Sequence, residues 1–107
     1  MDDVYLQVFT TIDRAADAER ISKQLVKERL AACVQVLGPI TSTYWWEGKM
    51  EQSQEFLILA KTKRHLYGKV EALIIENHPY DVPEVVAVPI TLGSEKYLRW
   101  IDEEVQG

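Results

Sequence analysis

Residues 41–61, TSTYWWEGKMEQSQEFLILAK, decide how the chain is read. They form two strand-like arms around a turn at Glu47-Gly48-Lys49. The second arm runs from Met50 to Thr62 without Gly or Pro to stop it. At ~3.3 Å per residue it would reach roughly 40 Å. A compact chain of this length has a radius of gyration of about 13 Å and is only about 34 Å across. The arm is therefore expected to bend sharply or to overhang its own domain. An overhanging strand is an unpaired edge, which proteins pair or cover. Other copies of the chain are the expected cover.

The two arms differ in polarity. The second is polar near the turn, through Glu51, Gln52, Ser53 and Gln54, and apolar from Phe56 to Ala60. A strand buried on both faces reads as a continuous apolar run, whereas a half-exposed one alternates. Phe56, Ile58 and Ala60 can face helices; Leu57 and Leu59 then need a second cover.

Outward from the hairpin, Val4, Leu6 and Val8 alternate with Tyr5, Gln7 and Phe9 as a first strand. Asp13 is the expected N-cap of a helix carrying Ala18, Ile21, Leu25 and Val26 at helical spacing and closing at Leu30 and Ala31. Residues 32–37 read as a strand ended by Gly38-Pro39. After the hairpin, residues 63–77 predict a second helix with Leu66, Val70, Leu73 and Ile74 on one stripe. Pro79 ends it, because the residue before a proline is pushed out of helical angles. Residues 84–89 predict another strand, and Ser94 caps a last helix carrying Tyr97, Leu98, Ile101 and Val105.

The order is β-α-β-β-α-β plus a terminal helix, the ferredoxin-like α+β arrangement of four antiparallel strands with two helices on one face. One domain spanning residues 1–107 fits the length. Apolar residues make up 47% and charged residues 27%, ordinary globular values that indicate neither disorder nor a coiled coil. The net charge of −5 and scattered basic residues argue against nucleic acid or an anionic membrane as partner. No run approaches the ~20 apolar residues of a membrane span. The opening MDDVYLQV has no secretory pattern, so a cytoplasmic protein is expected. The single cysteine, Cys33, rules out an internal disulfide.

Five segments together carry a family resemblance: ERLAACVQV (28–36), TSTYWWEGK (41–49), EFLILAKT (55–62), HPYDVPE (78–84) and YLRW (97–100). In this order and spacing the chain resembles the CutA family of divalent-cation tolerance proteins. The resemblance implies a homotrimer with interlocking strands; periodicity alone does not supply the number three. It also implies a role in tolerance of copper and other divalent metals, with copper binding in some members. It further implies a likeness to PII signalling trimers, which bind small ligands between subunits.

His78, an imidazole at a helix end, is the leading metal-ligand candidate. A histidine there also favours the helix dipole and free carbonyls without any metal. Copper-associated family members carry a cysteine in the first strand and a second histidine before the one matching His78. Here those positions are Phe9 and Asn77, neither a good copper donor. The expected copper or other divalent site is therefore depleted and weak. Cys33 is a minor candidate, since a cysteine in an apolar strand usually behaves as a small buried hydrophobe. Trp46, Lys61, Tyr80 and Glu84 could line a small-molecule cleft between subunits, with aromatic walls and a few polar groups; interface packing by the aromatics is the alternative. No GxSxG, GxxxxGK[ST], GxGxxG or HExxH pattern occurs, so an enzyme is not expected. Two further readings are a PII-like module binding a small molecule and a trimeric scaffold for protein partners.

Overall fold

The computed structural model describes residues 4–107. The elements are β1 (Tyr5–Ile12), α1 (Ala15–Lys27), β2 (Cys33–Trp46), β3 (Lys49–Lys63), a 3-10 turn (Arg64–Leu66), α2 (Tyr67–Asn77), β4 (Val86–Pro89) and α3 (Glu95–Glu104). They build one antiparallel sheet of order β2-β3-β1-β4, the expected split arrangement.

Strand alternation divides the sheet into two faces. Leu6, Val8, Thr10 and Ile12 of β1 lie beside Thr62, Ala60, Ile58 and Phe56 of β3. This face meets Ala18, Ile21 and Leu25 of α1 and Val70, Leu73 and Ile74 of α2 in the core. The opposite face carries Phe9 across from Leu59 and Val86, and Leu57 across from Thr11 and Leu37. Phe9, Leu57 and Leu59 are only half-buried, and Leu37, Val86 and Val88 are exposed. At one end of this face Asp102 of α3 accepts from Tyr5 Oη at 2.8 Å and lies 2.7 Å from Lys63 Nζ.

The hairpin overhangs as its length requires. Pairing between β1 and β3 stops at Ile12 and Phe56. Beyond that point β3 pairs only with β2, from Glu55 with Ile40 to Lys49 with Trp46. The result is a two-stranded ribbon, and the chain extends 44 × 28 × 22 Å. The ribbon closes on Glu47 and Gly48, both at positive φ (49° and 78°), the two-residue turn whose twist matches the strands.

Three local expectations are corrected. Gly38-Pro39 does not end a strand; β2 runs through it with a register shift between Leu37 and Ile40, a bulge at the ribbon's root. Asp13 is not the N-cap; Arg14 occupies that position in an extended conformation without a side-chain bond. The first helix closes before Leu30 and Ala31. Arg29 stands at φ 56° just after the cap, with its N–H on Val26 O and the Leu30 N–H on Leu25 O, both 3.0 Å. That pair of bonds is a Schellman closure, usually made by Gly at the left-handed position. Here the Arg29 guanidinium also donates to Glu104 O at 2.9 Å, which ties the closure to the end of α3. Ser94 caps α3 as expected, accepting from Tyr97 N at 3.3 Å.

Candidate functional site

The loop between α2 and β4 rounds the end of β1 where the ribbon leaves the body. Its first residue, His78, is the C-cap of α2 and has left helical angles (φ −99°, ψ 134°). The carbonyl row of β1 that faces β4 begins with Tyr5 O, which accepts from Ile90 N at 2.9 Å. Alternation places Thr11 O in the same row, past the start of β4. His78 Nε2 lies 2.7 Å from Thr11 O. A carbonyl only accepts, so Nε2 carries the proton and donates. Nδ1 accepts from Tyr80 N–H at 3.2 Å. The rings of His78 and Tyr80 meet edge to face, 4.5 Å apart.

Tyr80 Oη donates to Glu55 Oε2 at 2.8 Å. Glu55 is 6% exposed, although it belongs to the polar side of the hairpin's composition change. Burial and then the Glu55 carboxylate, with smaller contributions from Asp13 and Tyr44, push the Tyr80 phenol far above its ordinary value. Glu55 and Thr11 were not singled out from sequence. The available signal was a lone acid immediately before the apolar run of β3.

The remaining candidates lie on different elements: Trp46 ends β2, Lys61 is on β3, and Tyr80 and Glu84 are in the loop before β4. Lys61 lies opposite Cys33 and donates from Nζ to Gln35 Oε1 at 2.7 Å. Glu55, which holds Tyr80, is six positions away, and Lys49, opposite Trp46, is six further. These spacings put roughly 40 Å between the two ends of the set. Glu84 is exposed in the loop before β4. The four cleft candidates therefore do not converge within one copy. Cys33 is half-buried beside Tyr97, whose hydroxyl is pushed up by burial and then by the Cys33 side chain.

A divalent cation does not fit the donor groups of one copy. Both nitrogens of His78 are engaged. Asn77 donates to Leu73 O at 2.8 Å and accepts from Arg20 Nη1 at 3.0 Å. Phe9 offers no donor. Among the described residues no three His, Cys, Asp or Glu side chains gather closely enough to hold a metal ion.

Residues 6–104 match the family model described as CutA1 divalent ion tolerance protein. The divalent-cation tolerance protein CutA of Thermus thermophilus is 44% identical over 96 residues, covering 90% of this chain and 93% of that one. The chloroplastic protein CutA of Arabidopsis thaliana is 42% identical over 94 residues; the match covers 88% of this chain but 52% of that relative. The solved structure of the periplasmic divalent cation tolerance protein CutA from Archaeoglobus fulgidus superposes with a TM-score of 0.92 at 38% identity, covering 95% of this chain and 99% of that one. These descriptions overturn the cytoplasmic expectation, since relatives of the same fold are placed in a chloroplast and a periplasm. The opening MDDVYLQV, on which that expectation rests, does not decide the compartment. Among the described residues no helix is long and apolar enough to cross a membrane.

Proposed function

This chain belongs to the CutA1 divalent ion tolerance family, and from that premise we propose that it serves divalent-cation tolerance as a homotrimer, not as an enzyme. The observation that carries the assembly is the ribbon of residues 40–55, whose two strands, among the described residues, pair only with each other. The half-covered face of Phe9, Leu57 and Leu59 supports it as well. Each copy hides this surface only against others, so folding and assembly are coupled.

Copper or another divalent metal is bound weakly, because the described residues of one copy gather no donor set. Cation contact falls on groups that copies bring together. Trp46, Lys61, Tyr80 and Glu84 meet in the same way, when the ribbon of one copy reaches the loop of the next. Sedimentation of dilute protein tests the assembly: three times the single-chain mass is expected, and a stable folded monomer refutes it. Calorimetric titration with Cu(II) tests the cation; weak heats that vanish in a monomeric ribbon-deletion variant are expected. A tight isotherm retained by the monomer refutes shared binding.

A further inference from the structure

We infer that in this chain the His78 ring is a strand-end donor that holds the loop to β1, and that divalent cations do not bind through it. This departs from the ligand role that the family resemblance implies for His78.

The carbonyl row of β1 needs donors along its whole length, because a buried acceptor without a partner is costly. β4 supplies them only beside Leu6 to Phe9. Thr11 is 9% exposed and lies past that pairing. His78 Nε2–H reaches its carbonyl at 2.7 Å and does what a strand N–H would do. The Tyr80 N–H then occupies Nδ1, the one lone pair the ring has left. Tyr80 Oη continues the chain of bonds to Glu55 at the ribbon's root. A metal needs a free imidazole nitrogen, so binding at His78 would break this brace at one end. The flanking residues offer a cation nothing in return, since Asn77 is held by Arg20 and Leu73.

Nitrogen NMR of histidine-labelled protein tests the inference. The chain has two histidines, and His65, near Gln106 O, is the internal reference. His78 is expected to show the Nε2–H tautomer, unchanged by Zn(II). His78→Gln, whose amide can donate to Thr11 and accept from Tyr80, is expected to retain the wild-type melting temperature and the wild-type Cu(II) isotherm. His78→Ala is expected to melt several degrees lower. The inference is overturned by an Nδ1–H tautomer, by a Zn(II)-induced shift of the His78 nitrogens, or by His78→Ala melting like wild type. A loss of roughly tenfold in Cu(II) affinity in a well-folded His78→Gln protein, about 1.4 kcal/mol, also overturns it.

Discussion

Tyr80 and Glu55 stand 25 residues apart in sequence and are joined by a 2.8 Å hydrogen bond that locks the α2–β4 loop to the root of the projecting ribbon. The phenol donates and the carboxylate accepts, so the bond needs a protonated tyrosine.

That requirement sets an alkaline limit on stability. Burial and Glu55 raise the Tyr80 pKa above its ordinary 10.0, so the folded state favours the neutral phenol. The contribution is whole below the unfolded value and is lost as pH climbs from about 10 upward. Tyr80→Phe is expected to be less stable than wild type at neutral pH and to lose less stability with alkali. Tyr5, Tyr67 and Tyr97 are also raised but are common to both proteins. Urea midpoints that fall in parallel for the two proteins would count against the bond.

Thr10 presents the opposite case. It faces the core at 1% exposure, and among the described residues its hydroxyl has no hydrogen-bond partner. Thr10→Val keeps the shape and removes the stranded donor. A gain of about 1 kcal/mol in chemical denaturation is expected. A loss would mean that the hydroxyl is satisfied in solution.

The two hairpin glycines separate backbone strain from crowding. Gly48 sits at φ 78° with open space around it, so Gly48→Ala should cost about 1 kcal/mol for the left-handed conformation alone. A Cβ on Gly38 would meet Phe56 Cδ1 at 2.5 Å and the backbone of Glu55 and Phe56 at 3.1 Å. Gly38→Ala is therefore expected to lie at the upper end of the roughly 1–3 kcal/mol typical of overpacking, or beyond it. Equal losses in thermal melts of the two variants would contradict this ranking.

Much of this architecture is legible in the amino-acid sequence. The uninterrupted arm predicts the overhang, and the continuous apolar run 56–60 predicts a strand apolar on both faces, the second of which stays half-exposed in one copy. The signals that misled are local ones. Gly38-Pro39 looks like a stop, yet pairing on both sides carries the strand past it as a bulge. Asp13 looks like a cap, yet the helix starts from Arg14 and Asp13 instead adds to the charge around Tyr80. The brace was not legible, because Thr11 contributes only a backbone carbonyl and Glu55 gains its meaning from a loop 25 residues away. The proposed cleft residues are scattered within one copy, with Trp46 at the end of β2, Lys61 on β3, and Tyr80 and Glu84 in the loop before β4.

Asp102 gives an acid counterpart to Tyr80. The Lys63 ammonium, then Tyr5 Oη, hold its carboxyl below the ordinary 3.8. Its stabilising effect is present above that value and is lost as pH falls through the depressed one. Asp102→Asn is expected to be less stable than wild type near neutrality, with the gap closing in acid below about pH 4. Because the side chain is 38% exposed, the effect is small. A gap that stays constant down to the acid transition would show that ionisation of Asp102 contributes nothing.

The two-residue turn and its ribbon separate the chain into positions answerable to different judges. A substitution at Ile21 or Ile74 is tested by the copy that carries it, whatever its surroundings. Trp45 and Met50, 75% and 68% exposed, touch no core of their own, so mutational drift there leaves the bearer's interior intact. In the proposed assembly, recognition between copies can thus diversify among descendants while the body beneath it stays unchanged.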